Sequence, residues 1–403
     1  MKSLPASRPR PAAACATALL ALALVQTPLP AAASDTPPPK AAQNDWQWNL
    51  PAHFPTPRVP DDNPMSEAKF QLGRHLFYDK RLSGNGTMAC ASCHLQRLAF
   101  TDGRRVSLGS TGEETARNAP SIANAVYHPT LTWANYTLTT LERHALVPMF
   151  GDNPVEMGMD DHNEAEILTR FAIDPDYARR FADAFPGEAR PVNYPNLIKA
   201  LGSFMRGVIT ARSRHDRHKQ GEYRFTPAEA RGEALFRSEK AQCFQCHGSF
   251  NFNDQVVHAA SQRVEKPFHN TGLYNVDGKG GFPGLNQGLF ELSGKPQDMG
   301  AFRAPSLRNV EITAPYMHDG SIATLEEVLD FYADHGRVIA QGPNAGDGRK
   351  NPYKDPIVDR IRLDAQDKAD LIAFLKTLTD TDLLTDPRYA DPFTPTPAGQ
   401  PQK

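Results

Sequence analysis

The chain has 403 residues, 40% of them hydrophobic, and 44 basic against 46 acidic side chains give a formal charge of −2. That balance offers no basic footprint for nucleic acid. The length exceeds one ordinary core and predicts two domains.

The first element in chain order is an export signal. Lys2, Arg8 and Arg10 form a basic start, residues 12–25 are an apolar run, and Ala31-Ala32-Ala33 precedes Ser34 as a small-residue cleavage site. Residues 1–33 therefore read as a signal peptide. Its removal takes Cys15 with it, moves the charge to about −5 and leaves a periplasmic protein without membrane insertion; a retained N-terminal anchor is the alternative. No later stretch approaches ~20 uninterrupted apolar residues. Residues 34–62 are a Pro-rich linker in which Trp46 and Trp48 are expected to pin the segment to the domain surface.

Two further regions follow, 63–220 and 221–388, with a tail over 389–403. They share a weak repeat. Ser66-Glu67-Ala68 leads through Gly73 and Leu76-Phe77 to Cys90, and Thr226-Pro227-Ala228-Glu229 leads through Gly232 and Leu235-Phe236 to Cys243. In each copy a capping hydroxyl opens a helix that runs toward a cysteine motif. The regions are expected to meet near 212–224, a charged stretch without apolar periodicity. Further on, Thr324 caps a helix whose Leu325, Val328, Leu329 and Tyr332 share one face, and Asp364 with Asp367 opens another with Leu371, Phe374, Leu375 and Leu378 buried. Alternating strand patterns are few, so the fold class is mainly α, with two cytochrome-c-like haem domains and long connecting loops.

The cysteine motifs are Cys90-Ala91-Ser92-Cys93-His94 and Cys243-Phe244-Gln245-Cys246-His247, and they use every cysteine left after export. A CxxCH motif attaches a c-type haem: two thiols add to the vinyl groups and the adjacent His comes under the iron. A zinc half-site or redox dithiol is the competing reading of one such motif. Two motifs, each ending in His in an exported chain with no other cysteine, favour two covalently bound haem c groups.

Around these motifs the chain resembles the di-haem bacterial cytochrome c peroxidase and MauG superfamily. The resemblance is carried by FYDKRLSGNGTMACASCHLQRLAFTDGR, RNAPSIANAVYHPTLTW, NPVEMG, CFQCH, FRAPSLRNVEITAPYMHDGSIATLEEVLDFY and DKADLIAFLKTL, in order over about residues 60–380. It implies an N-terminal haem that meets H2O2, a C-terminal haem that stores or relays electrons, and a calcium ion between them.

The resemblance also assigns residues. Many family peroxidases block the first iron with a His between the first CxxCH and the RNAP motif, yet residues 95–116 contain neither His nor Met, so the first haem is expected to be open. The place that holds an iron-binding Met in peroxidases is Tyr332 here, as in MauG; Met317 and His318 are competing ligands, and a core tyrosine bonded to a carbonyl is the bland reading. Glu156 matches the carboxylate above the peroxidatic iron, where it would shuttle a proton between peroxide oxygens. His144 stands where the family has Gln, as a second acid or base, a satisfied helix residue, or a ligand to the open iron. Trp133 matches the tryptophan that couples the haems, but Ala134-Asn135-Tyr136-Thr137-Leu138 replaces the usual continuation and resembles the methanobactin-associated MbnH-like branch, which oxidises a partner's tryptophan to kynurenine. By register the calcium ligands are the Asn118 side chain and the carbonyls of Thr313 and Pro315.

Three functions follow from these expectations. The first is formation of a high-valent di-haem state that oxidises a periplasmic partner protein. The second is reduction of H2O2 to water with electrons from a small cytochrome or cupredoxin. The third is electron carriage without catalysis, which the open haem and Glu156 disfavour.

Overall fold

The computed structural model describes residues 45–394, so the expected signal peptide lies outside the described residues. Among them the chain is mainly helical, as expected. In order the helices are α1 (Glu67–Tyr78), α2 (Leu141–Phe150), α3 (Glu164–Ala172), α4 (Pro175–Ala184), α5 (Tyr194–Gly207), α6 (Arg214–Lys219), α7 (Pro227–Phe236), α8 (Phe244–His247), α9 (Phe290–Ser293), α10 (Leu325–Ala333) and α11 (Ala365–Leu375). One short antiparallel pair, β1 (Val338–Ile339) with β2 (Gly346–Asp347), is the strand content. No described helix is long and apolar enough to cross a membrane.

The repeat read in the sequence is a repeated helix crossing. Ser66 caps α1 and Thr226 caps α7, each hydroxyl accepting from the backbone N–H three residues on. α1 packs on α5, and α7 packs on α11. At both crossings a glycine lets the backbones touch: a Cβ on Gly73 would lie 1.9 Å from the Ala200 carbonyl oxygen, and one on Gly232 would lie 2.0 Å from that of Asp370. Phe70, Phe77, Phe100, Leu201 and Phe204 build the core around the first crossing, and Phe225, Phe236, Phe252, Leu371 and Phe374 build that around the second. This gives the two cytochrome-c-like halves. The capping boxes at Thr324 and at Asp364–Asp367 open α10 and α11 as predicted.

Three polar or Pro-rich segments behave differently from their composition. The part of the linker described, from residue 45, is laid along the protein. Trp46 packs 5.2 Å from Phe70 and 5.4 Å from Trp48 between ring centroids, and His53 Nε2 lies 3.0 Å from Asp216. The charged stretch near 212–224 contains α6, whose Asp216 is wholly buried and held by both Arg308 amino groups at 2.9 and 3.0 Å and by Ser213 Oγ at 2.7 Å. Its partner lies 92 residues away, so the pairing leaves no trace in the local pattern of the stretch. At the start of the tail expected over 389–403, Tyr389 is buried in the first core together with Leu383, and Arg388 just before it pairs with Glu67 at 2.7 Å.

Candidate functional site

Each CxxCH motif presents its histidine in the same way. His94 Nδ1 lies 2.9 Å from the Phe100 carbonyl and His247 Nδ1 lies 2.9 Å from the Phe252 carbonyl. A carbonyl only accepts, so Nδ1 carries the hydrogen and Nε2 is left with its lone pair free for a metal. Both phenylalanines adopt left-handed backbone (φ 63° and 53°), which turns their carbonyls back onto the rings. Burial lowers the pKa of both imidazoles, which favours the neutral, ligating form. Burial also pushes Cys90 and Cys243 up to about 12 and Cys93 up to about 11, and none of the four thiols is in a disulfide.

A cavity opens behind each motif. The one lined by Cys243, Cys246 and His247 measures about 250 Å³, and a smaller one of about 60 Å³ is lined by Cys90, Cys93 and His94. Paired thiols, a metal-ready imidazole and a mainly apolar wall fit covalent haem in both places. The segment 115–123 is the partition: Thr115 and Ile122 face the first cavity, while Asn118, Pro120 and Ser121 face the second.

The first cavity gathers His94, His144 and Glu156. Thr140 caps α2 and Pro148 sits within it, one turn after His144. Lacking an N–H, Pro148 leaves the helix bond to the His144 carbonyl unmade. Burial, then the charges of His94 and Arg303, lower His144 to about 4, so it is neutral near pH 7. The loop bearing Glu156 is clamped from both sides: Ser110 N donates to the Glu156 carbonyl at 2.7 Å, and Met157 N donates to the Pro148 carbonyl at 2.9 Å. Burial raises the Glu156 carboxyl above the usual carboxylate range. Met88, Met149, Met157 and Met205 also line this cavity; they lie outside the 95–116 window from which an open iron was expected.

The second cavity gathers His247, Tyr332, Met317, His318 and Trp133. Tyr332 faces inward from α10, and its hydroxyl has no hydrogen-bond partner among the described residues, unlike that of Tyr316, which donates to the Val310 carbonyl at 2.9 Å. Burial raises the Tyr332 pKa, so a phenolate here needs a strong cation beside it. His318 is stacked on Phe302 at 3.6 Å between centroids, its Nε2 is buried without a partner, and burial lowers it to about 3. It stays a neutral competitor to Tyr332.

Asn118 knots the partition to both halves. Its N–H donates to the His318 carbonyl at 2.8 Å, its Nδ2 to the Arg104 carbonyl at 2.7 Å, and its own carbonyl accepts from Trp133 Nε1 at 2.8 Å. Asn118, Thr313 and Pro315 line the same cavity. Among the described residues, no hydrogen bond is made to the Asn118 Oδ1 or to the Thr313 and Pro315 carbonyls, which leaves an uncharged set of hard oxygens.

Sequence reasoning missed His269 and Arg303. Burial works against a charge on His269, yet Asp254 at 2.6 Å and Asp355 at 2.7 Å hold it as an imidazolium, with a pKa of about 12. No motif flagged it, because its partners lie 15 and 86 residues away.

Residues 67–224 match the family described as di-haem cytochrome c peroxidase. Cytochrome-c peroxidase IdrP1 of Pseudomonas sp. (strain SCT) is 34% identical, over 86% of this chain and 90% of that protein. The methylamine utilization protein MauG of Methylorubrum extorquens is 30% identical, over 82% and 83%. A crystal structure of a MauG-like protein associated with microbial copper homeostasis is 60% identical, covering 87% of this chain and 100% of that one, with a TM-score of 0.86.

Proposed function

The chain belongs to the di-haem cytochrome c peroxidase family that includes MauG, so it is a peroxidase-family oxidoreductase with two haem c groups, and on that premise we propose that it spends H2O2 on oxidising a tryptophan of a periplasmic partner protein. The observation that carries this reading is Tyr332, which offers an unpartnered hydroxyl to the second cavity. A phenolate oxygen is a hard anionic donor, suited to an iron that must hold oxidising equivalents rather than pass electrons through a soft ligand. The 60% identity to a MauG-like protein supports the same branch.

When bound, the haems supply peroxide reduction and storage of its two oxidising equivalents. The residues around them divide the remaining work. Glu156, whose carboxyl burial makes more basic than an exposed carboxylate, takes the proton from the near peroxide oxygen and returns it to the leaving oxygen. His144, neutral beside it, accepts or donates a hydrogen bond without adding charge. Trp133 gives up and regains an electron while its indole N–H stays bonded to the Asn118 carbonyl. Asn118 Oδ1 with the Thr313 and Pro315 carbonyls holds a calcium ion at the partition, and residues 1–33 direct export.

The reading is tested by adding H2O2 to the diferric protein with candidate exported partners and mapping oxidised tryptophan by mass spectrometry. A resting EPR spectrum with one high-spin and one low-spin haem is expected. Tyr332→Phe should change the low-spin signal while both haems stay attached; an unchanged signal transfers the ligand role to His318 or Met317. The peroxidase reading, supported by the relatives named for that activity, requires catalytic turnover with a small reduced cytochrome and no oxidised partner.

A further inference from the structure

Arg303 is a buried cation without a counter-ion. It is 3% exposed, and no carboxylate lies within salt-bridge distance of it among the described residues. Its Nε donates to the Thr132 carbonyl at 3.2 Å and its backbone N–H to the Trp133 carbonyl at 2.8 Å, so both ends of the residue are fixed to the tryptophan segment. What remains is the outer part of the guanidinium. Nη1 is fully buried and bonds to nothing, and the side chain lines the second cavity.

An isolated buried charge costs several kcal/mol unless an anion meets it. Asp254 acts on Arg303 only through space, while the bonds of that residue go to His269. The chain therefore supplies the cation and leaves its partner to whatever fills the cavity. A haem attached at Cys243 and Cys246 brings two propionate carboxylates into that space, and a guanidinium binds a carboxylate through parallel N–H donors.

We propose that Arg303 is the propionate-binding residue of the second haem, pairing through the edge of its guanidinium that lines the cavity with a propionate carboxylate. The charge of Arg303 also reaches His128 in the second cavity wall and His144 in the first, and its main chain is bonded to that of Trp133. One residue thus joins the second haem's edge to the segment placed between the haems. The assignment depends on covalent haem at the second motif and not on which substrate is oxidised, so it survives if partner oxidation is disproved.

The test uses the holoprotein and its variants Arg303→Gln and Arg303→Lys, each first checked by mass for two attached haems, which the thioethers retain. Two quantities are read: the propionate-bending band in the resonance Raman spectrum and the reduction potential of the low-spin haem. In Arg303→Gln the band should shift and the ferric form should gain roughly tenfold, a fall of about 59 mV for one electron. Arg303→Lys should restore most of the potential. An unmoved Raman band overturns the proposal, whether the potential stays fixed or falls; a fall without a band shift means that the cation acts only through space.

Discussion

The two cavities share a frame and differ in their walls. Each has a hydroxyl-capped helix crossing a second helix at a glycine, a CxxCH turn, and a left-handed phenylalanine whose carbonyl fixes the motif histidine. The walls then diverge. The first places a carboxyl with a raised pKa and a neutral imidazole over its space, while the second places a tyrosine, a stacked histidine and a tryptophan there. Duplicating the frame costs the protein little chemistry, because the frame only presents a metal-ready histidine. The differences between the two cavities lie in a few side chains supplied by α2, α10 and the loops.

The largest expected effect breaks the comparison on one side only. Glu156→Gln should slow the first haem's reaction with H2O2 by ~10²–10⁴-fold, the usual share of a positioned acid–base group. It should leave the low-spin spectrum as it was. Rapid-mixing absorbance at both haems checks this, and a wild-type rate would remove Glu156 from the proton path.

Much of this was legible beforehand because it is local. CxxCH, the caps at Ser66, Thr226, Thr324 and Asp364, and the two glycines are each recognised within a dozen residues, and the capping hydrogen bonds are where they were expected. The rest depends on contacts that residue order hides. Asp216 meets Arg308 across 92 positions, and His269 meets Asp355 across 86. The left-handed turns at Phe100 and Phe252 are invisible because phenylalanine carries no preference for that region. The methionines of the first cavity stand outside residues 95–116 and reach it only through the fold.

A smaller effect tests whether the frames are equivalent. Gly73→Ala and Gly232→Ala should each destabilise the holoprotein by about 1–3 kcal/mol, since the added methyl meets a backbone carbonyl that cannot swing away. Thermal melts of the two variants should fall together. A tolerated alanine at one crossing would show that the halves are related in sequence but not in packing.

The smallest effect sharpens the difference between the walls. Trp133→Phe keeps the ring but loses the bond to the Asn118 carbonyl and the readily oxidised indole. Charge sharing between the haems should slow by about tenfold or more, roughly 1.4 kcal/mol of barrier, with the first encounter with peroxide unaffected. If rapid-mixing traces of the variant overlay those of the wild type, Trp133 only packs.

The return of the C-terminal segment to α1 makes the first half structurally dependent on chain that follows the second. Leu383 and Tyr389 complete the first core, in which Cys90 also packs, and Arg388 pairs with Glu67 across 321 positions. The half that carries the first CxxCH motif is therefore not a contiguous stretch of sequence: a cut made after α5 would remove part of its own interior, so the two halves are coupled in stability through this one returning strap.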